Sequence, residues 1–303
     1  MILLIQLHLI HCPNQTNIMT NLILCLDIGG THITAGLFKP TADNIEEVAH
    51  AREHVDSMGD KDTILKQWGT AIRNILLDNT LITNIYVSIP GPFDYEHGIS
   101  LMDGMHKYQA LLNFDVREFL SKEFAVNPRA IKFFNDAQAF LLGEIYYANF
   151  YDKKVIGLTL GTGLGSAIYE NNNVYDLNYG SVRFRSGIAE DYISTRGIIS
   201  HVNSRYNTSI ENVKELVING QYKEEKKLAF EFLTESLIDF INEHLLPHNP
   251  NYIIIGGSIA KASDYFFYQL KSSVSIPIQL ASLDELNVFK GMIIYSQMKN
   301  NNL

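Results

Sequence analysis

The sequence has few cysteines and no excess of basic residues, and both shortages narrow its possible functions. Its two cysteines, Cys12 and Cys25, have no partner at metal-ligand spacing. A disulfide framework is therefore excluded, and we expect a reducing, cytoplasmic location. The 24 basic and 33 acidic residues give a net charge of −9, which argues against sequence-independent binding to nucleic acid.

Long hydrophobic runs are also missing, apart from a short one at the start. Residues 1–10 read MILLIQLHLI and contain no Lys or Arg. The run lacks the basic region of a signal peptide and is too short to cross a bilayer. We expect residues 1–18 to be a disordered or artefactual extension, with Met19 as the true start and no membrane partner.

One structural plan occurs twice along the 303 residues. The apolar run Leu22–Leu26 is followed by a glycine turn and a second apolar run, Ile33–Phe38. In the same way, Val155–Leu160 is followed by a glycine turn and the run Ser166–Tyr169. Such hairpins, each followed by further strands and helices, predict an α/β protein with a duplicated ribonuclease-H-like (actin-like ATPase) fold. We expect two lobes around a central cleft, formed by residues 19–134 with 286–303 and by residues 135–285.

Hydrophobic spacing predicts the other elements. Strands are expected at Asn84–Ile89, Ala130–Phe134 and Tyr252–Ile255, and helices at Lys61–Leu77, Phe114–Phe124, Ala137–Tyr147, Glu225–Leu246 and from Asn287.

The two glycine turns are candidate phosphate loops. A glycine turn between strands can direct successive backbone N–H groups at an anion, because the missing side chain allows close approach. The first turn also offers a carboxylate for Mg²⁺ or its waters, from Asp27. Either turn alone is more often a simple hairpin; the pair, one in each half, favours phosphate binding. The residues concerned are Asp27, Gly29, Gly30, Thr31 and His32, and then Gly161, Thr162 and Gly163.

Asn135 and Asp136 follow a buried strand and are the candidate catalytic pair. Asp136 is predicted to be the general base that takes the proton of a sugar hydroxyl, while Asn135 binds neighbouring hydroxyls. The alternative is that Asp136 merely caps the following helix.

The chain resembles the ROK (repressor, open reading frame, kinase) family of sugar kinases and repressors. Five segments resemble family motifs and occur in family order across residues 22–300. Asp27–Thr31 is similar to the first phosphate motif, Ser88–Pro92 to the sugar-side loop, and Asn135–Ala137 with Gly143–Glu144 to the catalytic segment. Leu160–Gly165 is similar to the second phosphate motif and Ile255–Ile259 to the adenosine-side loop.

This resemblance implies ATP and Mg²⁺ as cofactors, a hexose-type substrate and a homodimer. It implies that Pro90 and Gly91 border the sugar, and that Gly256, Gly257 and Ser258 border adenosine. By the same resemblance Glu190 is a third sugar contact, whereas Lys107 and Tyr108 are expected to line the cleft after the Pro-Gly-Pro loop.

The chain departs from the family where a Gly-Glu-x-Gly-His segment and a cysteine-rich zinc loop usually occur. The corresponding stretch, Asn178–Gly187, has no Glu, His or Cys. We therefore predict that no zinc is bound and that this segment is ordered either by packing, through Tyr179 and Phe184, or by the substrate. The loss of two polar groups near the sugar predicts weaker discrimination at C2.

The leading hypothesis is an ATP-dependent kinase for a hexose hydroxyl, most simply C6 of glucose or a related sugar. A sugar-responsive regulator is the first alternative; it is disfavoured because only 26 residues precede Asp27 and no basic stripe is present. The second is a non-catalytic sugar- or nucleotide-binding relative, against which the intact Asp136 argues. Another enzyme with the same fold, such as an acyl-phosphate kinase, is disfavoured by the Asn-Asp pair.

Overall fold

The computed structural model describes residues 20–41, 44–76, 80–104, 107–282 and 284–301. The predicted extension, residues 1–18, and the predicted start at Met19 lie outside these ranges. The strands are β1 (Thr20–Ile28), β2 (His32–Pro40), β3 (Ile45–His54), β4 (Thr80–Ser88), β5 (Phe93–Asp94), β6 (Ile99–Ser100), β7 (Ile131–Phe134), β8 (Val155–Leu160), β9 (Leu164–Glu170), β10 (Asn173–Asp176), β11 (Arg183–Phe184), β12 (Gly187–Ile188), β13 (Tyr252–Gly256) and β14 (Ile278–Leu280).

The α-helices are α1 (Lys61–Arg73), α2 (Val116–Phe124), α3 (Asp136–Ala148), α4 (Thr195–Tyr206), α5 (Val213–Ile218), α6 (Lys223–Phe240), α7 (Phe267–Ser273) and α8 (Asn287–Asn301). Helix α6 continues through a π-helical turn, Ile241–Leu245, and a 3-10 turn, Leu246–His248. None of the helices described is long and apolar enough to cross a membrane.

Two five-stranded sheets repeat the same plan. The first has the order β3-β2-β1-β4-β7 and the second β10-β9-β8-β13-β14. In each, the first three strands run antiparallel and the last two join the sheet in parallel. This repetition is the duplicated ribonuclease-H-like arrangement, so the predicted fold class is confirmed. The assignment of residue ranges to lobes stays a prediction.

Both predicted hairpins with glycine turns are present, as β1–β2 and β8–β9. The predicted helices occur too, although α1 ends at Arg73 rather than Leu77. Sequence reasoning missed β3, because this edge strand is largely exposed and its sequence, IEEVAHAREH, has no run of apolar residues. It also missed α4, whose apolar residues are diluted by polar ones.

Two central helices join the halves. Helix α3 leaves the first sheet yet packs on β8, β9 and β10 of the second, whereas α8 leaves the second and packs on β1 and β4 of the first. They cross at two glycines: a Cβ atom on Gly291 would lie 2.3 Å from the Leu142 carbonyl oxygen, and one on Gly143 would lie 2.8 Å from the Val288 nitrogen. Only glycine allows this crossing, because real side chains do not approach backbone so closely.

Candidate active site

The carboxyl ends of three parallel strands place the first group of predicted residues in one row. Asp27 pairs with Ser88 across β1 and β4, and Ser88 pairs with Phe134 across β4 and β7. The Ser88 hydroxyl donates to Asp27 Oδ1 at 2.7 Å. Burial raises the pKa of Asp27, and this hydrogen bond opposes the rise. Ligands of open α/β sheets bind at such carboxyl ends, so the row marks one wall of a site.

Asn135, not Asp136, caps helix α3. The Asn135 Oδ1 accepts from the Ala137 backbone N–H at 2.8 Å, and the Gln138 side chain accepts from the Asn135 N–H at 3.3 Å, which completes a capping box. Asp136 is the first residue inside the helix, and its side chain is accessible from the cleft. The capping requirement of α3 is therefore met without Asp136.

The Asp136 carboxylate lies in an environment that disfavours its charge. Burial by the walls of the cleft raises its pKa, whereas a hydrogen bond from the Ala137 N–H and the positive charge of Lys107 lower it. Net, the pKa lies above the ordinary value for aspartate. A carboxylate with a raised pKa is a better proton acceptor than an ordinary one, which suits a general base.

Hydrogen bonds fix the backbone of the first glycine turn. Gly29 donates its N–H to the His32 carbonyl at 2.8 Å, and the Tyr108 hydroxyl donates to the Gly29 carbonyl at 2.6 Å. Thr31 lies at the exposed tip, where its Oγ1 is 2.8 Å from His32 Nδ1. These hydrogen bonds use carbonyl oxygens and the Gly29 N–H, so they fix the backbone of the turn.

Tyr108, predicted to line the cleft, lies instead behind the first glycine turn. Its side chain is fully buried, and its ring makes an edge contact with Trp68 at 5.6 Å between centroids. The residue supports the turn and has no place in a sugar contact. Its neighbour Lys107 does line the cleft, as predicted.

The second glycine turn lies directly on the start of α3. Gly161 donates its N–H to the Gly163 carbonyl at 3.0 Å, and the Thr195 N–H at the start of α4 donates to the Gly161 carbonyl at 2.8 Å. A Cβ atom on Gly165 would lie 3.2 Å from the Ala137 Cβ. The second turn is therefore adjacent to Asp136, although the two are distant in sequence.

Glu190 folds back onto the second glycine turn. Its Oε2 accepts from the Leu164 N–H at 3.2 Å, and a Cβ atom on Gly163 would lie 2.5 Å from this oxygen. Its other oxygen, Oε1, is 3.1 Å from Arg196 Nη2, on a largely exposed side chain. The carboxylate is thus fixed at the cleft wall with one side towards the cavity.

These groups surround a cleft of about 710 Å³ between the two sheets. The predicted residues that line it are Pro90, Gly91, Lys107, Asn135, Asp136, Gly161, Thr162, Gly163, Glu190 and Gly257. Gly256 is buried beside the Phe140 ring, and the Ser258 hydroxyl lies 3.5 Å from where a Cβ atom of Gly161 would be. The first turn, residues 29–32, and Asp27 lie outside this lining. Lys107 connects the turn to the cleft, because its Cδ is 4.0 Å from where a Cβ atom of Gly30 would lie.

Sequence reasoning missed five polar residues of the cleft: Tyr95, Thr159, Ser166, Asp176 and Asn178. The Tyr95 hydroxyl accepts from Asn135 Nδ2 at 3.2 Å and donates to the Ile89 carbonyl at 3.1 Å, so it orients Asn135. Asp176 ends β10, and its Oδ1 accepts from the Asn178 N–H at 2.8 Å. Its position at a strand end, like that of Asp27, was the available signal.

Aromatic side chains pack within the segment Asn178–Gly187, for which the sequence predicts order from packing or from the substrate. The Tyr179 hydroxyl is 2.6 Å from His248 Nε2. Phe184 is 1% exposed and packs against the rings of Tyr192 and Phe240, with centroids 5.4 and 5.8 Å away. Among the residues described, no group of three or more His, Cys, Asp or Glu side chains is placed to hold a metal ion. The absence of zinc stays a prediction.

Comparison with known proteins points to one family. The model of the ROK family matches residues 23–181. The chain is 22% identical to the glucokinase of Thermotoga maritima, over 83% of this chain and 86% of that protein.

Solved structures of two kinds share the fold. A ROK family glucokinase from Streptomyces griseus, in complex with glucose and AMPPNP, is 18% identical and has a TM-score of 0.69, covering 89% of this chain and 97% of its own. A ROK family transcriptional regulator, a homologue of the E. coli MLC protein, is 16% identical with a TM-score of 0.71, covering 93% of this chain and 79% of its own. At these identities the likeness shows the fold alone.

Proposed function

The chain belongs to the ROK family, and on that premise we propose that it is an ATP-dependent sugar kinase that phosphorylates a hexose hydroxyl, C6 of glucose or a related hexose. One observation carries the proposal. Asp136 is the first residue of helix α3 and lines a cleft that the second glycine turn also lines. Lys107 lines the same cleft and contacts the first glycine turn. Phosphoryl transfer requires that the nucleophile, the base and the phosphates lie close together in one site.

In this mechanism the sugar lies against Asn135, Glu190 and the Pro90–Gly91 loop. Asn135 keeps its orientation through Tyr95, so its amide contacts are fixed before the sugar binds. Asp136 takes the proton of the attacking hydroxyl. Asp176 and Asn178, on the same wall, supply further polar contacts to the ring hydroxyls.

The glycine turns bind the phosphates of ATP through backbone N–H groups, while Gly256, Gly257 and Ser258 border the adenosine. Asp27 fits Mg²⁺: this ion prefers hard oxygen ligands and is usually held by one or two carboxylates together with substrate phosphates and waters. When bound, the ion would neutralise charge on the phosphates. The Ser88 hydroxyl holds the Asp27 carboxylate in a fixed orientation for that role.

A sugar-responsive regulator, or a non-catalytic relative, is the second candidate. The likeness to a ROK family transcriptional regulator favours it, since the same fold serves both groups. Turnover separates the candidates, because a regulator binds the sugar without consuming ATP. Homodimer formation and a cytoplasmic location remain predictions from the sequence.

The test is the substitution Asp136→Asn, assayed with ATP and Mg²⁺ against glucose, mannose, fructose and N-acetylhexosamines in a coupled assay. The change is nearly isosteric, so we expect an unchanged melting temperature and AMPPNP affinity. Loss of the general base should lower kcat by about 10²–10⁴-fold. Asp152→Asn, at a side chain 75% exposed on the surface, is the matched control and should leave kcat unchanged.

A variant Asp136→Asn that keeps more than about half of the wild-type kcat would exclude Asp136 as the base. A wild-type chain that binds a sugar of the panel but never turns over ATP would favour the second candidate.

A further inference from the structure

Lys107 is the one basic side chain among the described residues that line the cleft. The other charged lining residues are the carboxylates Asp136, Asp176 and Glu190. A cleft lined by three carboxylates repels the phosphates of ATP, because unscreened like charges within a few ångströms destabilise one another. The cation at position 107 is therefore the main side-chain charge that could offset this repulsion.

The side chain of Lys107 extends from the first glycine turn towards Asp136. Its Cδ lies 4.0 Å from where a Cβ atom of Gly30 would be, so the aliphatic stem passes directly over the turn. Its positive charge acts on the Asp136 carboxylate. The Lys107 side chain thus lies beside a candidate phosphate turn and in the same cleft lining as the proposed base, where a transferred phosphoryl group would be bound.

The backbone at Lys107 is anchored to the same turn. The next residue, Tyr108, donates its N–H to the Ser57 carbonyl and its hydroxyl to the Gly29 carbonyl, both at 2.6 Å. The Ser57 hydroxyl in turn donates to the Gly30 carbonyl. These bonds fix the start of the Lys107 side chain relative to the turn, and positioning of this kind is what a transition-state contact requires.

We propose that Lys107 is a catalytic residue whose Nζ binds the non-bridging oxygens of the phosphoryl group during transfer, rather than a sugar contact. In the step, the sugar oxygen forms a bond to the γ-phosphorus as the bond from that phosphorus to the β–γ bridging oxygen breaks. The hydroxyl proton passes to Asp136, and ADP leaves with the bond's electron pair. Lys107 keeps its own proton throughout. This inference rests on the proposed kinase function.

The kinetic test compares Lys107→Met, which keeps the stem and removes the charge, with Lys107→Arg. At saturating sugar and ATP we expect Lys107→Met to lower kcat roughly 10²–10³-fold, the range for losing one transition-state donor. The KM for sugar should change less than about threefold, since the proposed contact is to the phosphoryl group and not to the sugar. Lys107→Arg should recover a large part of the loss. Lys122→Met, at a side chain 75% exposed in an ion pair on α2, is the control.

A binding test gives a result even where no sugar is turned over. Calorimetry should show that Lys107→Met weakens AMPPNP about tenfold, the loss of one charged hydrogen bond, with ADP affinity unchanged. Equal effects on AMPPNP and ADP, or an unchanged kcat, would overturn the role of Lys107 while leaving the kinase proposal intact. A raised KM for sugar with an unchanged kcat would show that Lys107 contacts the sugar and not the phosphoryl group. Loss of the AMPPNP preference without any wild-type turnover would support Lys107 and contradict the kinase.

Discussion

Phe184 provides the sharpest test of how the chain orders its sugar-side segment without a cysteine cluster. The side chain is 1% exposed and packs against Tyr192, Phe240 and His244, and the Arg185 guanidinium lies 5.1 Å above its ring. Arg185 is itself held by Asp239 at 2.6 Å. Truncating a buried Phe to Ala removes its transfer free energy and leaves a cavity, at a cost of about 3–5 kcal/mol.

Phe184→Ala should therefore lower the free energy of unfolding by about 3–5 kcal/mol in urea denaturation, and Phe184→Leu by clearly less. Because Phe184 precedes Glu190 along one short segment, the KM for sugar should also rise. Removal of metal ions with EDTA should leave the melting temperature of the wild type unchanged, since structural zinc needs about four Cys or His ligands. A loss below about 1 kcal/mol for Phe184→Ala, or stoichiometric zinc by elemental analysis, would refute this reasoning.

Two further predictions concern the cleft. Asp136 must be ionised to accept a proton, and burial raises its pKa. The value of kcat/KM should therefore fall as pH decreases, with an inflection above the pKa of an exposed aspartate, and Lys107→Met should move that inflection to still higher pH. An inflection at or below the ordinary aspartate value, after correction for acid unfolding, would contradict the assignment. Glucose and mannose should differ by less than about a hundredfold in kcat/KM, because the segment 178–187 contains no Glu or His and a hydroxyl without a buried polar partner is weakly discriminated. A larger preference in steady-state kinetics would show that other groups, such as Asp176, recognise the hydroxyl at C2.

The parts of the site that the sequence predicts are those encoded locally. A buried apolar run followed by glycines specifies a strand and its turn, and Asn135–Asp136 follows such a run directly. The fold class follows from the repetition of these local signals. The separate roles of the pair, with Asn135 as the helix cap and Asp136 in the cleft lining, could be assigned only from the structure, because either residue type can cap a helix.

The parts that the sequence does not predict depend on contacts between distant residues. Tyr95 orients Asn135 from 40 residues away, and Tyr108 holds Gly29 from 79 residues away. A tyrosine in a loop has no local pattern that separates a cleft residue from a buried support. The sequence therefore predicts Tyr108 in the cleft, whereas its ring is fully buried behind the turn.

The position of the proposed base is determined by both halves of the molecule. Asp136 follows β7 of the first sheet, yet the helix it opens packs on the second sheet and crosses α8 at Gly143 and Gly291. Just beyond the crossing, the buried Glu144 accepts from the Ser282 N–H and hydroxyl at 2.9 and 2.8 Å, which ties α3 to the segment before α8. Gly143 and Glu144 resemble the family's catalytic segment although neither lines the cleft. Their contacts explain why they accompany Asp136: they set the angle and depth of the helix that carries it.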